Sequence, residues 1–158
     1  KAAIFLLIGG MVLGLAKPGA VLPAPTFDRL HGLAKRMPLT CFGIVIGGLS
    51  LIGVPGTAGF VSKWYLILAA LEKGQFWLVG AILLSSLLAI VYVWRFVEVA
   101  YFRAVPEGTS VGHEHEAPLS LLIPAWLLVI ATIWFGLDTS LTVGSAIDAA
   151  QQLVKAGK

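Results

Sequence analysis

Gly53-Val54-Pro55-Gly56-Thr57-Ala58-Gly59 lies in the middle of a tract, residues 39–71, that is uncharged over all 33 positions except Lys63. As one straight helix that tract would be ~50 Å long at ~1.5 Å per residue, well beyond a hydrocarbon core of ~30 Å. Pro55 has no amide hydrogen and is unsuited to a helix interior, while Gly53, Gly56 and Gly59 lower the cost of non-helical dihedrals. The pattern predicts two half-helices joined by an unwound segment. Backbone groups freed in lipid cost several kcal/mol, so such a joint needs protein or water around it. Broken helices near the membrane midplane are a recurrent way to build ion sites in transporters. The blander alternative is a proline kink in a structural helix.

Lys63 follows the joint, and eight residues separate it from Glu72. That is ~12 Å of helix, which puts the amine near the middle of a bilayer. An ionised lysine there costs at least ~2.5–3.5 kcal/mol, and ~12 Å is a long way for its stem to snorkel. The amine must therefore face a hydrated cavity, pair with an acid, or give up its proton. A lysine in such a place suits a proton relay, because neighbouring charges can switch its protonation.

Working outward, the composition makes the same demand. Of 158 residues, 58% are hydrophobic and only 12% charged, and the mean hydropathy is +0.93. Average soluble chains carry roughly 25% charge to face water, so this composition selects the integral-membrane class. The single cysteine, Cys41, excludes an intrachain disulfide framework and a cysteine-based metal site. The net charge of +3 lies in loops between apolar runs, the pattern of membrane topology and not of nucleic-acid binding.

Uncharged runs cover residues 2–16, 39–62 with 64–71, 74–94 and 117–137. They are continuously apolar, which favours helices over the alternating strands of a barrel. The expected fold is an all-α integral membrane protein with four transmembrane spans. These are a first reaching about residue 16, the discontinuous 39–71, then 76–102 and 117–137. The first run is short for a crossing, and the chain reads as the C-terminal piece of something longer. Residues 1–137 form one expected unit. In 138–158, apolar residues at helical spacing suggest a short amphipathic helix at a membrane surface or partner, with a frayed tail as the alternative.

Residues 17–38 and 103–116 share one side and carry five basic residues, against three on the other. The positive-inside bias assigns that side to the cytoplasm. Residues 17–38 hold Pro18, Pro23, Pro25 and Pro38 and read as irregular surface chain. Arg95 and Glu98, three apart, are placed to form a same-face charge pair, with Trp94 and Tyr101 beside them as interfacial anchors. Two histidines, His113 and His115, stand two apart in a polar loop, and without further ligands they read as solvated. No phosphate-binding glycine motif or nucleophile elbow is present, and no cofactor or metal site is expected.

Gly47 through Leu66, reading Gly-Gly-Leu-Ser-Leu-Ile-Gly-Val-Pro-Gly-Thr-Ala-Gly-Phe-Val-Ser-Lys-Trp-Tyr-Leu, resembles the broken twelfth helix of the antiporter-like membrane subunits. That superfamily includes the D-type membrane subunit of Mrp sodium/proton antiporters and the proton-pumping subunits of respiratory complex I. The opening Lys1-Ala-Ala-Ile-Phe-Leu-Leu-Ile-Gly-Gly resembles the family's eleventh helix, and residues 32–40 its basic loop entering helix twelve. The resemblance implies inverted five-helix repeats and a hydrated mid-membrane axis of lysine, histidine and glutamate. On it, Lys63 matches the terminal lysine of the second half-channel and Lys1 the lysine feeding it. Trp64-Tyr65-Leu66 and Trp94-Arg95-Phe96-Val97-Glu98 lean to the Mrp type.

The resulting expectation is proton translocation in a multi-subunit monovalent cation/proton antiporter of the cell membrane. Its partners would be other membrane subunits, lipid, protons and sodium. The alternatives are a proton-pumping membrane subunit of NADH-quinone oxidoreductase or a related hydrogenase complex, an enzyme only through its assembly, and a non-conducting scaffold. In the scaffold, small residues such as Gly43, Gly47, Gly48 and Ser50 would serve helix packing alone.

Overall fold

The computed structural model describes residues 1–15, 30–104, 116–140, 143–144 and 152. Within them the chain is helical, with α1 (Ala2–Leu15), α2 (Pro38–Ile52), α3 (Ala58–Glu72), α4 (Phe76–Val97) and α5 (Leu119–Leu137). A 3₁₀ turn, Leu33–Lys35, precedes α2, and α4 runs on through a π-helical turn, Glu98–Phe102. The His113/His115 loop lies outside the described residues, as does most of the expected tail helix.

Pro38 starts α2 at a position where its missing amide costs nothing. On one side α2 packs against α1 and α5, with Leu7, Met11, Met37, Cys41, Ile44, Leu122, Ala125 and Val129 in the shared core. Small residues allow the approach: a Cβ on Gly43 would come 2.8 Å from a Leu7 methyl, and one on Gly47 2.6 Å from Ile4. On its other side α2 meets α4, where a Cβ on Gly48 would come 2.9 Å from Val93. The first core carries no charge, so shape and apolar area hold it.

The outer surface is apolar as well. Leu83, Leu84, Leu87, Leu88, Val91 and Trp94 of α4 are each more than half exposed, far beyond what a water-facing surface tolerates. Two helices, Phe76–Phe102 with its π turn and Leu119–Leu137, have the length and composition to cross a bilayer. Pro124 inside α5 is accommodated without ending that helix.

One surface expectation changes. The end of the 17–38 segment is not a surface strand of chain, because Leu33 and Met37 are fully buried. The amide of Gly32 donates to the Val99 carbonyl at 3.4 Å, tying this turn to the end of α4. Leu33 and Met37 are apolar, and their sequence neighbours Pro38, Lys35 and Arg36 disguise that they plug the end of the bundle.

Candidate functional site: the joint between α2 and α3

Helix α2 ends because Gly53 turns left-handed, at φ 93° and ψ 47°. The amides of Gly53 and Val54 both donate to the Leu49 carbonyl, at 3.0 and 3.1 Å, a Schellman-type closure that glycine makes without a Cβ penalty. Val54-Pro55-Gly56-Thr57 then forms a β-turn with proline second, Gly56 at φ 88° third, and the Thr57 amide donating to the Val54 carbonyl at 3.2 Å. That is the residue order of a type II turn. The Thr57 hydroxyl donates to the same carbonyl at 2.8 Å. Thr57 then starts α3, its own carbonyl accepting from the Phe60 and Val61 amides at 3.0 and 3.4 Å.

This closure leaves the last carbonyls of α2, on Leu51 and Ile52, without amide partners. Lys63 supplies them. It is the sixth residue of α3; its side chain folds back across the joint, and Nζ donates to Leu51 O at 2.6 Å and Ile52 O at 3.1 Å. A third bond goes to the hydroxyl of Ser86 on α4, at 2.7 Å. An ammonium has three N–H donors, and all three are used. The position also suits its charge, since a helix C-terminus carries partial negative charge and favours a cation.

The glycines around the joint have separate tasks. A Cβ on Gly53 would sit 3.1 Å from Cδ of Lys63, on the path of the returning side chain. Gly59 lies directly against the Ser50 carbonyl, where no Cβ fits. Gly136 of α5 lies as closely against the backbone of Gly56 and Thr57, so the end of α5 covers the turn. Pro55 faces outward, exposed; it stops the helix and sets the turn.

Lys1 stands exposed at the start of α1. Arg95 and Glu98 are elsewhere, at the far end of α4. Arg95 donates to Glu98 at 3.1 Å, and Arg103 donates to the other carboxylate oxygen at 3.0 Å. The three charges form an exposed bridge that does not reach the joint. Of the residues singled out from sequence, Lys63, Gly53, Pro55, Gly56 and Gly59 belong to the joint, while Lys1, Arg95 and Glu98 lie on other elements.

Two participants escaped the sequence reading. Ser86 is the hydroxyl that completes the Lys63 shell; its only signal was the Ser85-Ser86 pair in an otherwise apolar run. Glu116 directly follows the polar His113/His115 loop in sequence. It accepts from the Leu39 amide at 2.8 Å and the buried Thr40 hydroxyl at 2.7 Å. A carboxylate there satisfies an orphan donor and complements the helix dipole. Helix α2 thus carries an anion at its first turn and a cation at its last, both supplied by other elements.

The apolar surface and the long apolar helices define the class of a polytopic helical membrane protein. Comparison with known proteins gives the particular family. Residues 1–89, which contain Lys1, the joint, Lys63 and Ser86, match the family described as NADH:quinone oxidoreductase/Mrp antiporter, transmembrane. The chain belongs to that family. It is 37% identical over 129 residues to the N-type subunit of NADH-quinone oxidoreductase from Desulforudis audaxviator, covering 75% of this chain and 26% of the relative. Over 158 residues it is 29% identical to the D-type subunit of the Na(+)/H(+) antiporter of Bacillus subtilis, covering all of this chain and 30% of that one. Its fold is similar to a chain of the Mrp complex from Dietzia sp., with TM-score 0.69, 24% identity, and 89% of this chain and 33% of the other covered. The chain therefore spans about a quarter to a third of the length of these relatives.

Proposed function

We propose that this chain carries part of the proton path of a multi-subunit monovalent cation/proton antiporter, with Lys63 at the joint as a switching proton carrier. The observation that supports this reading most is the seat of the amine. Lys63 is held by three oxygens at 2.6–3.1 Å and, among the described residues, by no carboxylate. A lysine locked in an ion pair keeps its proton; one held by neutral oxygens can lose it when a second positive charge approaches. By the family resemblance, Lys1 is the candidate partner in the relay. Lys1 would be the donor or acceptor of the proton that Lys63 carries.

On this reading residues 39–71 form one discontinuous span among four, 1–137 form one unit of a larger proton-channel domain, and 138–158 are an appended tail. The Gly53-to-Gly59 joint lets water reach the amine. The protein resides in the cell membrane with residues 17–38 and 103–116 toward the cytoplasm, beside other membrane subunits of its complex, and exchanges a monovalent cation, with sodium the first candidate. The test is Lys63→Ala in the full-length subunit, assembled in its complex and reconstituted in vesicles. Proton-coupled transport should be lost while assembly persists; unchanged transport refutes the role.

The 37% identity to an N-type subunit of NADH-quinone oxidoreductase favours a second reading, proton pumping driven by quinone reduction. Here, too, Lys63 would carry the proton. The readings separate when membranes containing the complex are driven first by NADH and then by an imposed sodium gradient. Proton movement with the sodium gradient alone supports the antiporter; movement with NADH alone supports the respiratory complex.

A further inference from the structure

Three oxygens converge on one point at the end of α2: Leu51 O at 2.6 Å, Ser86 Oγ at 2.7 Å and Ile52 O at 3.1 Å from the Lys63 nitrogen. Two are main-chain carbonyls that the Schellman closure leaves without amide partners, so they are fixed by the fold and point at whatever occupies that place. Carbonyls at the ends of interrupted helices, with a hydroxyl, are the donor chemistry that takes alkali cations from water. The present occupant is a tethered cation.

We infer that the cradle of Leu51 O, Ile52 O and Ser86 Oγ is a monovalent-cation site, and that the Lys63 ammonium and a free alkali cation occupy it alternately. This rests on the relay proposed above and extends it to the exchanged ion. The chemistry balances. When one N–H bond of the ammonium breaks and the proton passes to a neighbouring water, the cradle loses its positive charge. The neutral amine gains a lone pair, which an ammonium lacks. An incoming cation sheds part of its water shell, restores one positive charge at the helix end, and gains the amine nitrogen as a further ligand. One proton leaves for each cation bound, and the charge at the end of α2 is unchanged.

The surroundings suit a one-for-one exchange. Helices α1, α2 and α5 contain no charged residue, α3 contributes only Lys63 and Glu72, and α4 only Arg95. Glu72 and Arg95 are each nine residues further along their helices from Lys63 and Ser86, more than two turns away. Asp138, just after α5, is engaged by the hydroxyl and amide of Ser140 at 2.5 and 3.1 Å. A second positive charge approaching the site would expel either occupant.

The test uses the intact complex containing the full-length subunit as wild type, Ser86→Ala, Ser86→Thr and Lys63→Ala. Thermal stability is followed against sodium chloride and potassium chloride, with choline chloride holding ionic strength constant, over a pH series. In the wild type, the apparent affinity for one of the two cations should rise with pH by up to about tenfold per unit, as one-proton competition requires. Ser86→Ala should weaken it about tenfold and Ser86→Thr, which keeps the hydroxyl, should restore it. In Lys63→Ala the response to that cation should persist and lose its pH dependence, since the tethered competitor is gone. A cation response independent of pH in the wild type, or unaltered by Ser86→Ala, overturns the site. Proton flux in vesicles keeps the two proposals apart. Lost flux in Lys63→Ala without any cation response overturns only the cation site, whereas retained flux removes the relay and the exchange together.

Discussion

Gly59→Ala sets two effects of known size against each other. Alanine in a helix interior is intrinsically better than glycine by about 1 kcal/mol, and Gly59 lies in the first turn of α3. At this position, however, the new methyl group would meet the Ser50 main-chain carbonyl at less than contact distance. A main-chain carbonyl cannot swing aside as a side chain can, so α3 must move relative to α2. Overpacking of this kind costs about 1–3 kcal/mol. Movement of α3 also draws Lys63 off Leu51 and Ile52, each bond to a charged group being worth about 1.5–3 kcal/mol. The steric and hydrogen-bond losses exceed the helical gain, and the net change should be a destabilisation of about 2 kcal/mol or more. Gly80→Ala is the matched control, with nothing near the added methyl and an expected gain of about 0.5–1 kcal/mol. Thermal unfolding of the assembled full-length subunit, with vesicle transport measured on the same preparations, gives both answers. Equal stability of the two variants, or transport undiminished in Gly59→Ala, would refute the close packing at the joint and its link to Lys63.

The remaining expectations concern the two ends of α2 and the far end of α4. Gly53→Ala forces a side chain into left-handed geometry for about 1–2 kcal/mol and crowds the Lys63 stem, so transport should fall more than stability in parallel assays. Glu116→Ala removes the cap of α2 and should cost about 1–2 kcal/mol in thermal unfolding, with Glu116→Gln keeping part of it. Thr40→Val should cost about 1–2 kcal/mol of the same stabilisation, measured the same way, by leaving one carboxylate oxygen without its donor. Arg95→Ala breaks a solvent-exposed bridge that Arg103 still satisfies, and melting of the complex should be unchanged.

The joint was readable from sequence because its causes are local. Pro55 fixes its own φ and Gly53 and Gly56 permit left-handed dihedrals, and a 33-residue tract with one charge has to be interrupted somewhere. The position of Lys63 beside the joint was readable for the same reason. Its partners were not. Leu51 and Ile52 contribute main-chain atoms, which every residue has, and Ser86 is 23 positions away on another helix. Glu116 is 77 positions from the amide it caps, and its neighbours His113 and His115 gave it the look of a solvated loop residue. The Arg95–Glu98 spacing gave its pair correctly because three residues is a local distance on a helix, whereas Arg103 joins that pair only after the π turn brings the chain round. Local rules thus located the break and the amine, while the oxygens that hold the amine emerged only from packing.

Whether the amine at position 63 itself carries the proton is tested most directly by removing it and putting it back chemically. In the reconstituted complex, Lys63→Cys should abolish proton flux. Alkylation with bromoethylamine, which rebuilds an amine of nearly the same reach, should restore it, and a neutral alkyl group of equal length should not. Full flux in unmodified Lys63→Cys, or equal recovery with the neutral group, would contradict a proton carried on that nitrogen.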